Sequence, residues 1–168
     1  MFTSQSVALP LKQRARQGRR LVAVDIENIV GGAVLDLAVA AEAWQRIEDS
    51  IVLRPGDLIV VGASHISAIA AWRARPGVRL VVRSGANGAD LALLRVLEEE
   101  SIDSRFDEVV VVSGDGIFTD AVAHLGACGV HVTVVSRRNS LANRLCMAAA
   151  ARIVLPDSVS EQAMGGAA

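Results

Sequence analysis

The sequence predicts an α/β/α sandwich, a three-layer fold on a central, mainly parallel sheet of about five to six strands. Three observations predict it. Short β-branched runs alternate with longer stretches of helical period from residue 21 to residue 155. The short runs are almost unbroken in apolar side chains, as strands covered on both faces must be. The composition is 52% apolar but only 3% aromatic, with no Tyr, so the interior must be built from Val, Ile, Leu and Ala. A chain of 168 residues suits one core. Its apolar content excludes disorder, and so few aromatic rings count against platforms that stack bases.

The elements follow in order. Leu21, Val22, Ala23 and Val24 make the first strand, ending at Asp25. Leu37, Ala41, Trp44 and Ile47 recur at helical spacing and predict a helix over 36–49. The turn Arg54-Pro55-Gly56-Asp57 opens a second strand over 57–61, and an Ala-rich helix over 65–74 follows. Arg75-Pro76-Gly77 then introduces a third strand over 78–83. The helix over 89–102 carries the line Asp90, Leu94, Leu97, and after a fourth strand over 108–113 the helix over 117–127 carries Phe118, Val122 and Leu125. A fifth strand over 130–136, a helix over 141–150 and a sixth strand over 152–155 complete the alternation, with right-handed crossovers expected. Residues 21–157 are therefore read as one domain, 1–20 as a basic flexible arm and 158–168 as a flexible tail.

Net charge is −1, from 17 basic and 18 acidic residues, but the charges are not evenly spread. Lys12, Arg14, Arg16, Arg19 and Arg20 all precede the first acid, Asp25, so a basic arm leads into an acidic body. The apolar start comes before this cluster, the reverse of a secretory signal. Cys128 and Cys146 suggest neither a disulfide framework nor a zinc pattern, and a reducing cytoplasm fits them. Uncharged runs such as 58–72 and 121–136 fall short of the roughly 20 residues of a membrane span. The abundance of aliphatic helices admits a homodimer without identifying a face for it.

Open α/β sheets bind ligands beyond the carboxyl ends of their strands. Gly31-Gly32 and the glycines at 85 and 88 loosen the backbone there. Asp25 closes the first strand in Val24-Asp25-Ile26-Glu27-Asn28, Asp90 opens a helix in Gly88-Ala89-Asp90-Leu91, and Asp115 follows the fourth strand in Ser113-Gly114-Asp115-Gly116. If the first and fourth strands are central neighbours, Asp25 and Asp115 meet across the crevice and Asp90 approaches from the crossover. Three clustered carboxylates repel unless a cation or protons offset them. A hard ion such as Mg²⁺, with oxygen ligands and a substrate phosphate, is the natural solution. Helix capping and Asx turns are the structural alternative for each acid taken singly. Arg83, Arg137 and Arg138 fall at the same edge and suit RNA phosphates. His65, His124 and His131 are scattered and read as structural or surface residues.

These motifs, with the closing segment Val134-Val135-Ser136, Ser140-Leu141-Ala142-Asn143 and Ala151-Arg152-Ile153-Val154-Leu155, resemble the NYN domain family of the PIN-like nuclease superfamily over about residues 21–157. The resemblance implies a PIN-like fold and a metal-dependent ribonuclease whose acids bind Mg²⁺ or Mn²⁺ and activate water. Asp25, Asp90 and Asp115 match the acidic ligands, and Asn28 matches the polar helper beside the first. Many members carry a further acid two positions after the one matched by Asp115. Here Ile117 stands there, and Asp120 is the nearest substitute. The alternative is an NYN-fold module that binds RNA or protein with weak or no turnover. A Rossmann-type nucleotide site ranks behind both, since Gly31-Gly32 comes too late after the first strand.

Overall fold

The computed structural model describes residues 18–156. Most of the expected arm, with Lys12, Arg14 and Arg16, and the expected tail lie outside the described residues. One six-stranded sheet runs in the order β3-β2-β1-β4-β5-β6. Its strands are β1 (Arg20–Asp25), β2 (Leu58–Ala63), β3 (Arg79–Val82), β4 (Glu108–Val112), β5 (His131–Arg137) and β6 (Ala151–Leu155). Every neighbouring pair is parallel. The chain moves outward from β1 to β3 and then returns to lay β4 on the other side of β1. The strand order therefore switches between β1 and β4, and a crevice opens beyond their carboxyl ends.

Alternation along the buried strands feeds two apolar layers. Leu21 and Ala23 of β1, with Val109 and Val111 of β4, face α4 (Gly88–Glu99), α5 (Ile102–Arg105), α6 (Thr119–Ala127) and α7 (Asn143–Ala148). Val22 and Val24, with Val110 and Val112, face α1 (Ile26–Val30), α2 (Leu37–Ser50) and α3 (Ala68–Ala74). Each buried aliphatic side chain of this kind contributes about 1.5–3 kcal/mol. Gly62 of β2 sets how closely α4 approaches. A methyl group there would stand 2.5 Å from Leu93 Cγ and 2.7 Å from the Ala89 carbonyl oxygen.

The structure differs from the sequence reading in local detail. The turn expected after the first strand is the short helix α1, capped by Asp25 and closed by Gly31 at φ 91°. The single helix expected over 89–102 is two, broken where Ser101 takes φ 51°. Arg20, counted with the arm, opens β1 and is 6% exposed. Its Nε and Nη2 donate to the two carboxylate oxygens of Asp57, at 3.1 and 2.6 Å.

A carboxyl pair at the strand switch point

Asp25 falls on the same side of β1 as Leu21 and Ala23, and so turns toward α4. It is 1% exposed. Its Oδ1 accepts from the Asn28 backbone N–H at 3.1 Å, which caps α1, and its Oδ2 accepts from the Ser113 hydroxyl at 3.1 Å. Asp90, in the first turn of α4, hydrogen-bonds the Asp25 carboxyl and repels its charge. Burial first, and Asp90 second, push the Asp25 acid up to about 8, against the Asn28 and Ser113 bonds that favour the carboxylate. Gly62 stands opposite Asp25 in the β1–β2 register. The same glycine that lets α4 sit close to the sheet thus brings Asp90 to Asp25.

Ser113 links the third acid to this pair. Its oxygen also accepts the Asp115 backbone N–H at 3.2 Å. The Asp115 side chain is exposed and accepts from Ile117 N–H at 2.9 Å, so it caps the 3-10 turn Gly116–Phe118. The structure thus joins Asp25 and Asp90 directly and holds Asp115 one hydroxyl away. Among the described residues no three His, Cys, Asp or Glu side chains are grouped to hold an ion by themselves. The Asp115 carboxylate is engaged in capping its own 3-10 turn. Asn28 Oδ1 accepts from Gly114 N–H at 3.0 Å, tying α1 to the β4 exit loop. Asp120 is exposed in the first turn of α6. Ile117 is half-buried and packs on the α4–α6 side of the core.

The basic residues separate by face. Arg83 follows β3 directly and is exposed. Arg137 ends β5 on the side of Val135, and its guanidinium lies against Gly31, across the sheet from Asp25. Arg138 is exposed in the next turn. Sequence reasoning missed Arg144, whose Nε would be 2.9 Å from a methyl group on Gly116. It stands over the residue next to Asp115, on the face of the acid pair. Only the fold of the 138–142 loop brings it there, although Gly116 beside an acid was a visible signal. Sequence reasoning also left Glu27 unplaced. Helix α1 swings it to the β2 exit, where Oε1 accepts Ser64 N–H at 2.9 Å. Burial works to raise its acid, but the Ser64 and Ser67 side chains and the Ser64 amide together hold it below the usual range. All three histidines are exposed, and neither cysteine is in a disulfide.

The family model of the NYN domain matches residues 19–156, most of the chain. The chain belongs to the NYN family. That family lies within the PIN-like nuclease superfamily, and the six-stranded parallel sheet flanked by helices agrees with it. A protein of unknown function from Vibrio parahaemolyticus RIMD 2210633 is similar in fold, with a TM-score of 0.57 and 17% identity over 83% of this chain and 93% of that one. Comparison with curated proteins gives no match. Among the described residues of this NYN domain no helix is long and apolar enough to cross a membrane.

The donors of the NYN crevice fit a hard divalent cation. Such an ion is commonly held by one or two carboxylates plus water and substrate oxygens. The Asp25–Asp90 pair supplies two, and no described cationic side chain offsets the burial and repulsion that raise the Asp25 acid.

Proposed function

We propose that this NYN domain is a metal-dependent ribonuclease hydrolysing RNA phosphodiester bonds at the β1–β4 crevice, in the cytoplasm. The observation that carries the reading is the Asp25 carboxyl, buried at the strand switch point with the half-buried Asp90 carboxyl set against it. Asp25 and Asp90 would hold Mg²⁺ or Mn²⁺, with Asp115 as the third acid of the crevice. When bound, that ion lowers the pKa of a coordinated water and draws charge from the phosphate oxygens.

The remaining work falls to the chain. Ser113 donates to Asp25 and accepts from Asp115 N–H, which fixes both acids relative to β4. Asn28 commits its Oδ1 to Gly114 and keeps its amide N–H groups as donors for a phosphate oxygen. Arg144 beside Asp115 and Arg83 beyond β3 supply sequence-independent attraction for the backbone on either side of the pair.

The test is cleavage of a mixed-sequence RNA with Mg²⁺ or Mn²⁺. Asp25→Asn and Asp90→Asn are expected to lower the rate at least ~10²-fold, since even groups behind a ligand are worth 10–100-fold. Asp115→Asn is expected to lower it less. Cleavage that survives chelator and all three substitutions overturns the metal mechanism. A second reading, RNA binding without turnover, is favoured by Ile117, which is committed to apolar packing where many relatives carry an acid. Wild-type protein that binds RNA but leaves it intact with either metal supports that reading.

A further inference from the structure

Helix α3 turns Ala70 and Ala71 to the sheet and leaves its other side apolar as well. Ile69 is 71% exposed, Ile66 64% and Trp72 53%. Ile69 and Trp72 are one turn apart on α3, and Ile66 lies in the turn just before it, three residues ahead of Ile69. Leu35, 75% exposed, stands beside them, because Val34 N–H donates to Ser67 Oγ at 2.8 Å and pins the loop before α2 to the start of α3. Leu37 opens α2, which packs alongside α3. These side chains leave on the order of 600 Å² of apolar surface, the upper end for a monomer and close to the ~800 Å² per partner of a standard interface.

We propose that the chain forms a two-fold dimer through this outer face of α3. The patch suits a second copy because its charges complement under a two-fold axis. Arg73, at the carboxyl end of α3, is the only charged residue of that helix, and Asp36 lies at the opposite end of the patch beside Leu35 and Leu37. Antiparallel packing of α3 on its mate sets Arg73 against Asp36 of the partner subunit and buries the isoleucines and Trp72 at the axis. The helices α1 to α3 cover one face of the sheet, and the Asp25–Asp90 pair opens toward the other. The dimer leaves both crevices accessible and does not depend on the nuclease reading.

Sedimentation of the full chain from ~1 to ~100 µM tests it, because dimerisation follows mass action. The expected result is a mass rising to twice 17.6 kDa. Ile69→Glu and, separately, Ile66→Glu are expected to weaken association at least ~100-fold, as for central interface residues, with unchanged circular dichroism. Val52→Glu, at an exposed site outside the patch, is expected to leave it unchanged. A wild type that stays monomeric throughout overturns the proposal and gives the face to a different partner. Dimers that survive both isoleucine substitutions overturn it as well.

Discussion

Strand β1 buries a charged residue at each end, and the two ends are built on opposite principles. At the amino end Arg20 meets Asp57 through two hydrogen bonds, and its Nη2 also donates to the Val52 carbonyl at 2.6 Å. At the carboxyl end Asp25 meets another acid. The consequence appears as shifts of opposite sign. Burial alone raises the Asp57 acid, but the Arg20 guanidinium, the Arg54 amide and the Arg54 charge together hold it below the usual range. Among the described residues no cationic side chain does this for Asp25, which is pushed up to about 8. A buried charge with its partner built in holds the fold together. One left without a partner is a place for something the chain does not itself supply.

The largest effect is expected where the partner is built in. Asp57→Ala strands the Arg20 guanidinium and is expected to destabilise the fold by about 3–5 kcal/mol. Urea denaturation at neutral pH measures it, and a loss below ~1 kcal/mol breaks the comparison at its strong end. The pH dependence has a definite sign. The Asp57 acid is depressed in the folded state, so its contribution is present above the unfolded value of 3.8 and is lost as pH falls below that value. Acid unfolding of wild type is therefore expected to steepen below about pH 4, and to flatten in Asp57→Asn.

The two ends also differed in how far the sequence revealed them. The strand rhythm and the acids at strand exits are periodic or terminal features, so Asp25, Asp90 and Asp115 could be placed at one edge from pattern alone. The adjacency of β1 and β4 followed from topology. Arg20 looked like part of a charged arm, because a salt bridge spanning 37 residues leaves no local trace. Ser113 and Arg144 escaped for a related reason: Ser113 meets Asp25 only because β4 pairs with β1, and Arg144 is brought back by the 138–142 loop. The Asp115 capping bond is local, and its chemistry was weighed beforehand. Which of capping or clustering would turn its side chain could not be read without the 3-10 turn that follows.

A smaller effect tests how the pair is assembled. Gly62→Ala pushes a methyl group into Leu93 and the Ala89 carbonyl, and is expected to destabilise by about 1–3 kcal/mol. Because the damage moves α4 away from β2, it is also expected to draw Asp90 back and lower the Asp25 acid, read by carboxyl NMR titration. An unchanged Asp25 titration would mean that α4 spacing does not set the pair.

Asp25→Asn is expected to act in the opposite direction, stabilising the apo protein by about 1–2 kcal/mol at pH 8. An acid raised in the folded state binds its proton more tightly there than in the unfolded chain, whose value is 3.8. Wild-type stability therefore falls as pH climbs from 3.8 toward 8, while the neutral amide avoids the loss and keeps an oxygen to cap α1. Melting curves with chelator at pH 5 and pH 8 measure the gain, which should be larger at pH 8. A destabilised variant at pH 8 would mean that Asp25 is held by its Ser113 and Asn28 bonds more than it is strained by Asp90.

The smallest effect is expected close to the largest. Arg54 lies at the same end of the sheet as Arg20 and bonds Glu108 at 2.9 Å, yet both partners stay in contact with solvent. Water already stabilises each charge and salt screens the pair, so the bond replaces hydration without adding to it. Arg54→Ala is expected to leave the melting temperature within error of wild type, at low salt and at high. It keeps the backbone N–H that donates to Asp57 Oδ2 at 2.8 Å, so the buried pair is undisturbed. A clear loss of stability in Arg54→Ala would show that the Arg20–Asp57 pair draws its strength from the surrounding surface charges and not from its own burial.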